Sequence, residues 1–154
     1  MKNNKSKSLK DLFSMKNKKV LIIGGAGYLG KAMTSSLMEL GASVVVSSRN
    51  KKKGELEIKK IKQKNNKNII FYPVDITSQV SINKLKDFVS KRFNNQLDVL
   101  INCGWSGKKN TFESINNEDW QYDIETCLTG VFKTTKIFLP LLKKKRGNIL
   151  NIGS

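Results

Sequence analysis

The chain has 154 residues, with 29 lysines and arginines against 12 aspartates and glutamates and no histidine. This length suits one domain with its own core, and a hydrophobic content of 38% is typical of a globular rather than a disordered chain. The lack of histidine excludes a Ser-His-Asp triad, and two cysteines are too few for a disulfide framework or a zinc site, so we predict no metal.

The first 18 residues form a polar, basic extension without the apolar stretch of a secretory signal. No apolar run anywhere in the sequence is long enough to span a membrane. We therefore expect a cytoplasmic protein without a membrane partner, in which residues 19–154 form the folded domain.

Strand and helix patterns alternate along this domain. Short apolar runs predict strands at 20–23, 42–46, 69–72, 97–101 and 148–152. Helical spacing of apolar residues predicts helices at 28–40, 55–64, 81–93 and 118–142. In the last helix we expect one apolar stripe, made of Ile124, Leu128, Val131, Thr135 and Phe138, which either packing within the chain or an oligomer would require. Alternation of this kind predicts an α/β fold, a Rossmann-like doubly wound parallel sheet with strand order 3-2-1-4-5.

A glycine-rich loop, Gly24-Gly-Ala-Gly-Tyr-Leu-Gly30, connects the first strand to the first helix. In this context Gly24 permits a tight turn, Gly27 lets a pyrophosphate approach the backbone, and Gly30 allows close packing of helix on strand. The helix N-terminus adds unpaired N–H groups and a positive dipole end. The loop therefore predicts a dinucleotide site rather than a simple turn.

The end of the second strand indicates which dinucleotide binds. An NAD site usually has an acidic residue here, whereas this chain has Ser48, Arg49 and Asn50 and no acid before Glu55. A guanidinium can bind the 2′-phosphate of NADP through two parallel hydrogen bonds. We expect NADP to be preferred over NAD, the alternative being that Arg49 is one more surface cation.

The charge of +17 admits a nucleic-acid partner, but its composition argues against one. Only three of the 29 cations are arginine, the side chain favoured for phosphate and base contacts. Lysine, asparagine and isoleucine share A/T-rich codons, so a compositional bias of the genome accounts for the charge. We therefore expect no nucleic-acid partner.

With these motifs in place, the sequence from about residue 12 onward resembles the short-chain dehydrogenase/reductase family. The resemblance rests on the order of the glycine loop, Asp75-Ile-Thr77, the strand that ends at Asn102, the helix around Cys127, and Gly147-Asn-Ile-Leu-Asn-Ile-Gly-Ser154. The chain departs from the family at Ile23, where threonine is usual, at Tyr28, where the common branch has glycine, and in two further motifs. Asn102-Cys-Gly-Trp105 stands where Asn-Asn-Ala-Gly is usual, and Cys127 replaces a catalytic asparagine.

The resemblance implies hydride transfer between a nicotinamide cofactor and a carbonyl or alcohol substrate. It implies that Ser154 is catalytic. Together with the loop and charge arguments, it makes the following residues our predicted cofactor-binding set: Gly24, Gly27, Tyr28, Leu29, Gly30, Ser48, Arg49, Asp75, Ile76, Asn102, Cys103 and Gly104.

The family's catalytic Tyr and Lys, in the pattern Y-x-x-x-K, do not occur in these 154 residues. We expect them shortly beyond Ser154, and we expect the chain to be a fragment, the cofactor-binding portion of a longer oxidoreductase and inert by itself. The main alternative is a non-catalytic NAD(P)-binding or regulatory module. The helix at 118–142 resembles the one through which family members commonly form homo-oligomers.

Overall fold

Five strands form one parallel sheet in the computed structural model, which describes residues 8–65, 68–105 and 111–153. The strands are β1 (Lys19–Ile23), β2 (Ser43–Ser48), β3 (Ile69–Pro73), β4 (Val99–Asn102) and β5 (Asn148–Asn151). Their spatial order is β3-β2-β1-β4-β5, and every neighbouring pair is parallel. The predicted Rossmann-like sheet and its strand order are confirmed.

Helices connect the strands. They are α1 (Leu9–Leu12), α2 (Tyr28–Glu39), α3 (Lys51–Asn65), α4 (Gln79–Arg92), α5 (Asn117–Ile124) and α6 (Gly130–Lys143). Polar side chains cap α4 and α5, where the Ser78 hydroxyl accepts a bond from the Ser81 N–H and the Asn116 amide oxygen accepts one from the Asp119 N–H. None of the helices described here is both long enough and apolar enough to cross a membrane.

The sheet has a core on each of its faces. Leu21 and Ile23 of β1 belong to one buried cluster, and Val20 and Ile22 of the same strand belong to the other. Successive side chains of a strand point to opposite faces, so β1 is covered on both sides. Each such aliphatic side chain contributes about 1.5–3 kcal/mol to folding.

Helix α3 begins at Lys51, four residues earlier than the lysine-rich pattern predicts. The Asn50 side chain accepts a hydrogen bond from the Lys53 N–H at 2.9 Å, which stabilises the first turn. A Cβ atom on Gly54 would lie 2.1 Å from the Phe71 ring, so this glycine lets α3 pack directly on β3. We therefore attribute the early start of α3 to the Asn50 cap and to packing on β3 rather than to helix propensity.

The helix predicted over 118–142 is interrupted by a π-helical turn, Glu125–Thr129, between α5 and α6. A π turn adds a residue to the helix and shifts every later side chain around its axis. Within the chain the predicted apolar stripe is mostly not buried: Leu128 is 65% exposed, and of the stripe only Phe138 is buried. The buried side of this segment also includes Thr126, Gly130 and Thr134.

Part of the basic extension contacts the domain. The Met15 N–H donates to the Leu40 carbonyl at 2.9 Å, and the Met15 side chain packs against the core. Residues 1–7 lie outside the described part of the chain. The boundary at residues 18 and 19 stays a prediction.

Candidate functional site

A cleft of about 410 Å³ lies at the carboxyl ends of the strands. Its walls come from the loops after β1, β2, β3 and β4 and from the π turn. In parallel α/β sheets this edge is where ligands bind. Ten of the predicted cofactor-binding residues line the cleft: Gly24, Gly27, Tyr28, Leu29, Gly30, Ser48, Arg49, Ile76, Cys103 and Gly104.

The glycine loop forms one end of this cleft. Gly24 adopts φ +79°, and a Cβ atom there would lie 2.5 Å from the Cys103 carbonyl oxygen. A Cβ atom on Gly30 would lie 2.2 Å from the Gly24 carbonyl oxygen. Only glycine allows the β1 end, the β4 end and the first turn of α2 to approach so closely.

The first turn of α2 borders the cleft with its backbone. Gly27 is the N-cap residue and supplies no capping side chain, and the first turn has no acidic residue. The N–H groups at this end therefore have no side-chain acceptor from a capping residue. Such a helix terminus attracts an anion through its N–H groups and its positive dipole end.

The other end of the cleft, below β2 and α3, is basic. Arg49 and Lys53 line it together with Ser48 and Asn50. No aspartate or glutamate is among the lining residues in the described part of the chain. This end is therefore suited to a phosphate and unsuited to the paired ribose hydroxyls that a carboxylate binds.

Two predicted cofactor-binding residues lie beside the cleft rather than in its wall. The Asp75 carboxylate accepts bonds from the Thr77 N–H at 3.0 Å and the Thr77 hydroxyl at 2.8 Å, and so orders the loop that carries Ile76. Asn102 is buried at 3% exposure. Its amide oxygen accepts from Thr134 at 3.0 Å, and its amide nitrogen donates to Asn151 at 2.8 Å.

The two cysteines lie in different environments. Cys103 is partly buried in the cleft wall, and burial raises the pKa of its thiol. It is thus a neutral, weakly reactive group at neutral pH. Cys127 is exposed in the π turn and does not line the cleft. Ser154, the predicted catalytic residue, lies outside the described residues.

Lys53 and Thr126 line the cleft although the sequence-based prediction did not include them, whereas Trp105, which we expect near the cofactor, is in the cleft wall. Lys53 reaches the cleft from the first turn of α3, whose early start the sequence pattern does not reveal. Thr126 lines the cleft from the π turn, far along the chain, and is 1% exposed. Nothing in the sequence distinguishes Lys53 from the neighbouring lysines or marks Thr126 as a residue of the cleft.

Comparison with known proteins identifies the same architecture. The model of the family described as short chain dehydrogenase matches residues 18–154. An uncharacterized oxidoreductase of Escherichia coli, YgcW, is 31% identical over 148 residues, which cover 94% of this chain and 54% of that protein. The 3-oxoacyl-[acyl-carrier-protein] reductase FabG of Chlamydia pneumoniae is 27% identical over 140 residues, covering 89% and 55%.

Comparison with a solved structure shows that the similarity extends to the three-dimensional fold. The alcohol dehydrogenase of the archaeon Thermococcus sibiricus, complexed with 5-hydroxy-NADP, is 26% identical with a TM-score of 0.80. The match covers 88% of this chain and 57% of that one. The chain spans about half the length of the curated relatives it matches.

Proposed function

The chain belongs to the short-chain dehydrogenase family, and from this premise we propose that it is the cofactor-binding portion of an NADP-preferring oxidoreductase that acts on a carbonyl or alcohol substrate. The family consists of oxidoreductases and so supports an enzyme. The preference for NADP and the substrate class are our proposal.

One observation carries the proposal: a single cleft combines a glycine loop, an uncapped helix N-terminus and a basic end without a carboxylate among its described lining residues. The residues present fit a dinucleotide phosphate at both ends. Gly27 and the first turn of α2 would hold the pyrophosphate, and Arg49 and Lys53 would hold the 2′-phosphate. Ile76 is buried and offers an apolar surface to a base.

When bound, the cofactor supplies hydride donor or acceptor chemistry at its nicotinamide. The chain's own residues bind and orient it. Trp105, Gly104 and Cys103 line the cleft after β4, and we assign the reactive end of the cofactor to this part of the wall. The neutral Cys103 thiol makes this wall weakly polar and non-nucleophilic.

Proton transfer needs residues that the described cleft does not supply. By the family resemblance Ser154 would orient the substrate oxygen, and a Y-x-x-x-K pair would transfer the proton. Tyr28, Tyr72 and Tyr122 are each followed four residues later by a residue other than lysine. We propose that this pair lies in sequence downstream of Ser154. A downstream reading frame without Y-x-x-x-K would contradict this part of the proposal.

Calorimetric titration of the full chain with NADPH and NADH tests the cofactor assignment. We expect NADPH to bind more tightly, and Arg49→Met to weaken NADPH binding about tenfold or more while leaving NADH unchanged, because a charge-assisted phosphate contact is lost. Arg92→Met is the matched control, since Arg92 is exposed on α4 and does not line the cleft. Equal loss of both cofactors in Arg49→Met would refute the role given to Arg49.

A second function, a non-catalytic nucleotide-binding module, is favoured by one observation. Cys127 replaces the family's catalytic asparagine and is exposed in the π turn. This alternative predicts NADPH binding without hydride transfer even for the protein extended through the downstream frame. NADPH oxidation by that extended protein with any of a panel of ketones and aldehydes would exclude the alternative.

A further inference from the structure

Arg49 and Tyr122 are in contact although they lie 73 positions apart. Arg49 directly follows β2, and Tyr122 belongs to α5. A guanidinium Nη1 of Arg49 donates a hydrogen bond to the Tyr122 hydroxyl, and the guanidinium carbon lies 5.7 Å from the centre of the Tyr122 ring. The pair therefore combines a charge-assisted hydrogen bond with a cation–π contact.

The two residues face different cavities. Arg49 lines the cofactor cleft, whereas Tyr122 lines a neighbouring groove on α5 and is not in the cleft wall. The Tyr122 side chain therefore reaches the cleft through its contact with Arg49. This geometry is that of a positioning residue rather than a binding residue.

Tyr122 is itself firmly anchored. Its backbone carbonyl accepts a bond at 3.0 Å from the hydroxyl of Thr126, a buried residue of the cleft wall. Asn116 caps the N-terminus of α5 through the Asp119 N–H at 2.7 Å. Through Tyr122, Arg49 is thereby connected to α5 and to Thr126 in the cleft wall.

The contact with Tyr122 orients the Arg49 guanidinium and keeps the positive charge that a phosphate requires. An arginine side chain loses rotamer entropy when it is ordered, and a stacked arrangement reduces that cost at the moment of binding. A phenol is uncharged at neutral pH, so it orients the guanidinium without neutralising it, as a carboxylate would. The planar guanidinium presents several edges, so one edge held by a phenol is compatible with another directed at a phosphate.

We infer that Tyr122 is a specificity-determining residue, which holds Arg49 in position for the 2′-phosphate and so strengthens NADP binding over NAD. This inference rests on the proposed function, because it assigns Arg49 to that phosphate. It deepens that function by adding a residue of α5 that does not touch the cofactor.

The test is a set of calorimetric titrations of the full chain with NADPH and NADH. We expect Tyr122→Leu to weaken NADPH binding about tenfold, and Tyr122→Phe, which keeps the ring, about threefold. NADH affinity stays within about twofold in both variants, which also shows that the fold is intact. In an Arg49→Met background, Tyr122→Leu adds no further loss, because the positioned group is gone.

Trp120→Leu is the matched control, an exposed aromatic on the same helix that lines neither cavity. It should leave both affinities unchanged. If Arg49→Met weakens NADPH binding while Tyr122→Leu does not, the inference fails and the proposed function stands. If Tyr122→Leu tightens NADPH binding, the tyrosine competes with the phosphate, which also overturns the inference. If Arg49→Met itself has no effect, the phosphate role of Arg49 fails first, and the inference fails with it.

Discussion

The cleft side of the sheet and its β5 side are built differently. Strands β1 and β2 are buried over nearly their whole length, and each pairs with a neighbour on both sides. All four residues of β5 are exposed, Leu150 at 46%, and within the described residues β5 pairs with β4 and with no other strand. The glycine loop and the basic end of the cleft therefore rest on packed core, whereas β5 is held by its ladder and a few polar contacts.

This contrast bears on the proposed assignment of cofactor binding to the packed side of the sheet. The residues that we assign to the cofactor lie on the packed side, and Ser154 follows the exposed strand. Elements with few buried contacts open at low free energy, whereas core strands open only with the whole domain. We therefore expect cofactor binding to be the robust property of this chain. The following predictions, in order of decreasing effect, test the contrast.

We expect the largest loss of stability from adding a methyl group at Gly30, on the packed side of the sheet. In Gly30→Ala the new Cβ atom would meet the Gly24 carbonyl oxygen at 2.2 Å, where the backbone cannot yield without moving the loop. We expect the free energy of unfolding to fall by more than about 3 kcal/mol in urea denaturation. Gly153→Ala, where nothing lies within 4 Å, is the control and should change it by less than about 0.5 kcal/mol. Equal stability of the two variants would show that the loop is not tightly packed.

The next prediction concerns the hydrogen bonds of Asn102, which connect β4 to α6 and β5. Thr134→Val removes the hydroxyl that donates to Asn102 at 3.0 Å and leaves a buried amide oxygen without that partner. We expect a loss of about 1–3 kcal/mol in unfolding free energy. Thr135→Val, at a half-buried position with a longer contact of 3.3 Å to Asn102, should cost less than about 1 kcal/mol. The reverse ranking would contradict the assignment of Asn102 as the link between β4, α6 and β5.

The two thiols differ in burial, Cys103 being partly buried and Cys127 exposed, and their alkylation rates measure that difference. Alkylation requires the thiolate, and burial raises the pKa of Cys103, so its rate should begin to climb only at higher pH. At pH 8 we expect the Cys127→Ser protein, which keeps Cys103, to react about tenfold more slowly than the Cys103→Ser protein. The gap should narrow as pH rises, and NADPH should protect Cys103 but not the exposed Cys127. Fast labelling of Cys103 that NADPH does not slow would place it outside the cofactor cleft.

The smallest effect concerns the second cation of the basic end. Lys53→Met should weaken NADPH binding about threefold, because an exposed charge near a phosphate contributes modestly. The loss should shrink at high salt. Lys52→Met, in the same turn of α3 but outside the cleft lining, is the control. Identical affinities for the two variants would remove Lys53 from the site.

Much of this fold follows from local pattern. Alternating apolar runs and helical stripes predict the strand order, and the loop from Gly24 to Gly30 predicts the ligand edge, because each signal lies within a short segment. The π turn is different. It shifts Leu128 outward and brings Thr126 into the cleft, and nothing in a helical periodicity marks an inserted residue.

The sequence pattern does not predict the contact of Arg49 with Tyr122 either. Two residues 73 positions apart meet because β2 and α5 converge at one edge of the sheet, which only the tertiary arrangement specifies. Asn102 is a further case. Its resemblance to a family motif predicts a place in the site, whereas the reason for its burial is a network with Thr134 and Asn151 that spans three elements.

The central claim is that this chain contains a working cofactor site on its packed side. Calorimetric titration of the full 154-residue chain with NADPH tests it most directly. We predict saturable binding of one NADPH per chain, tighter than that of NADH. Absence of saturable binding by the folded chain would contradict the account.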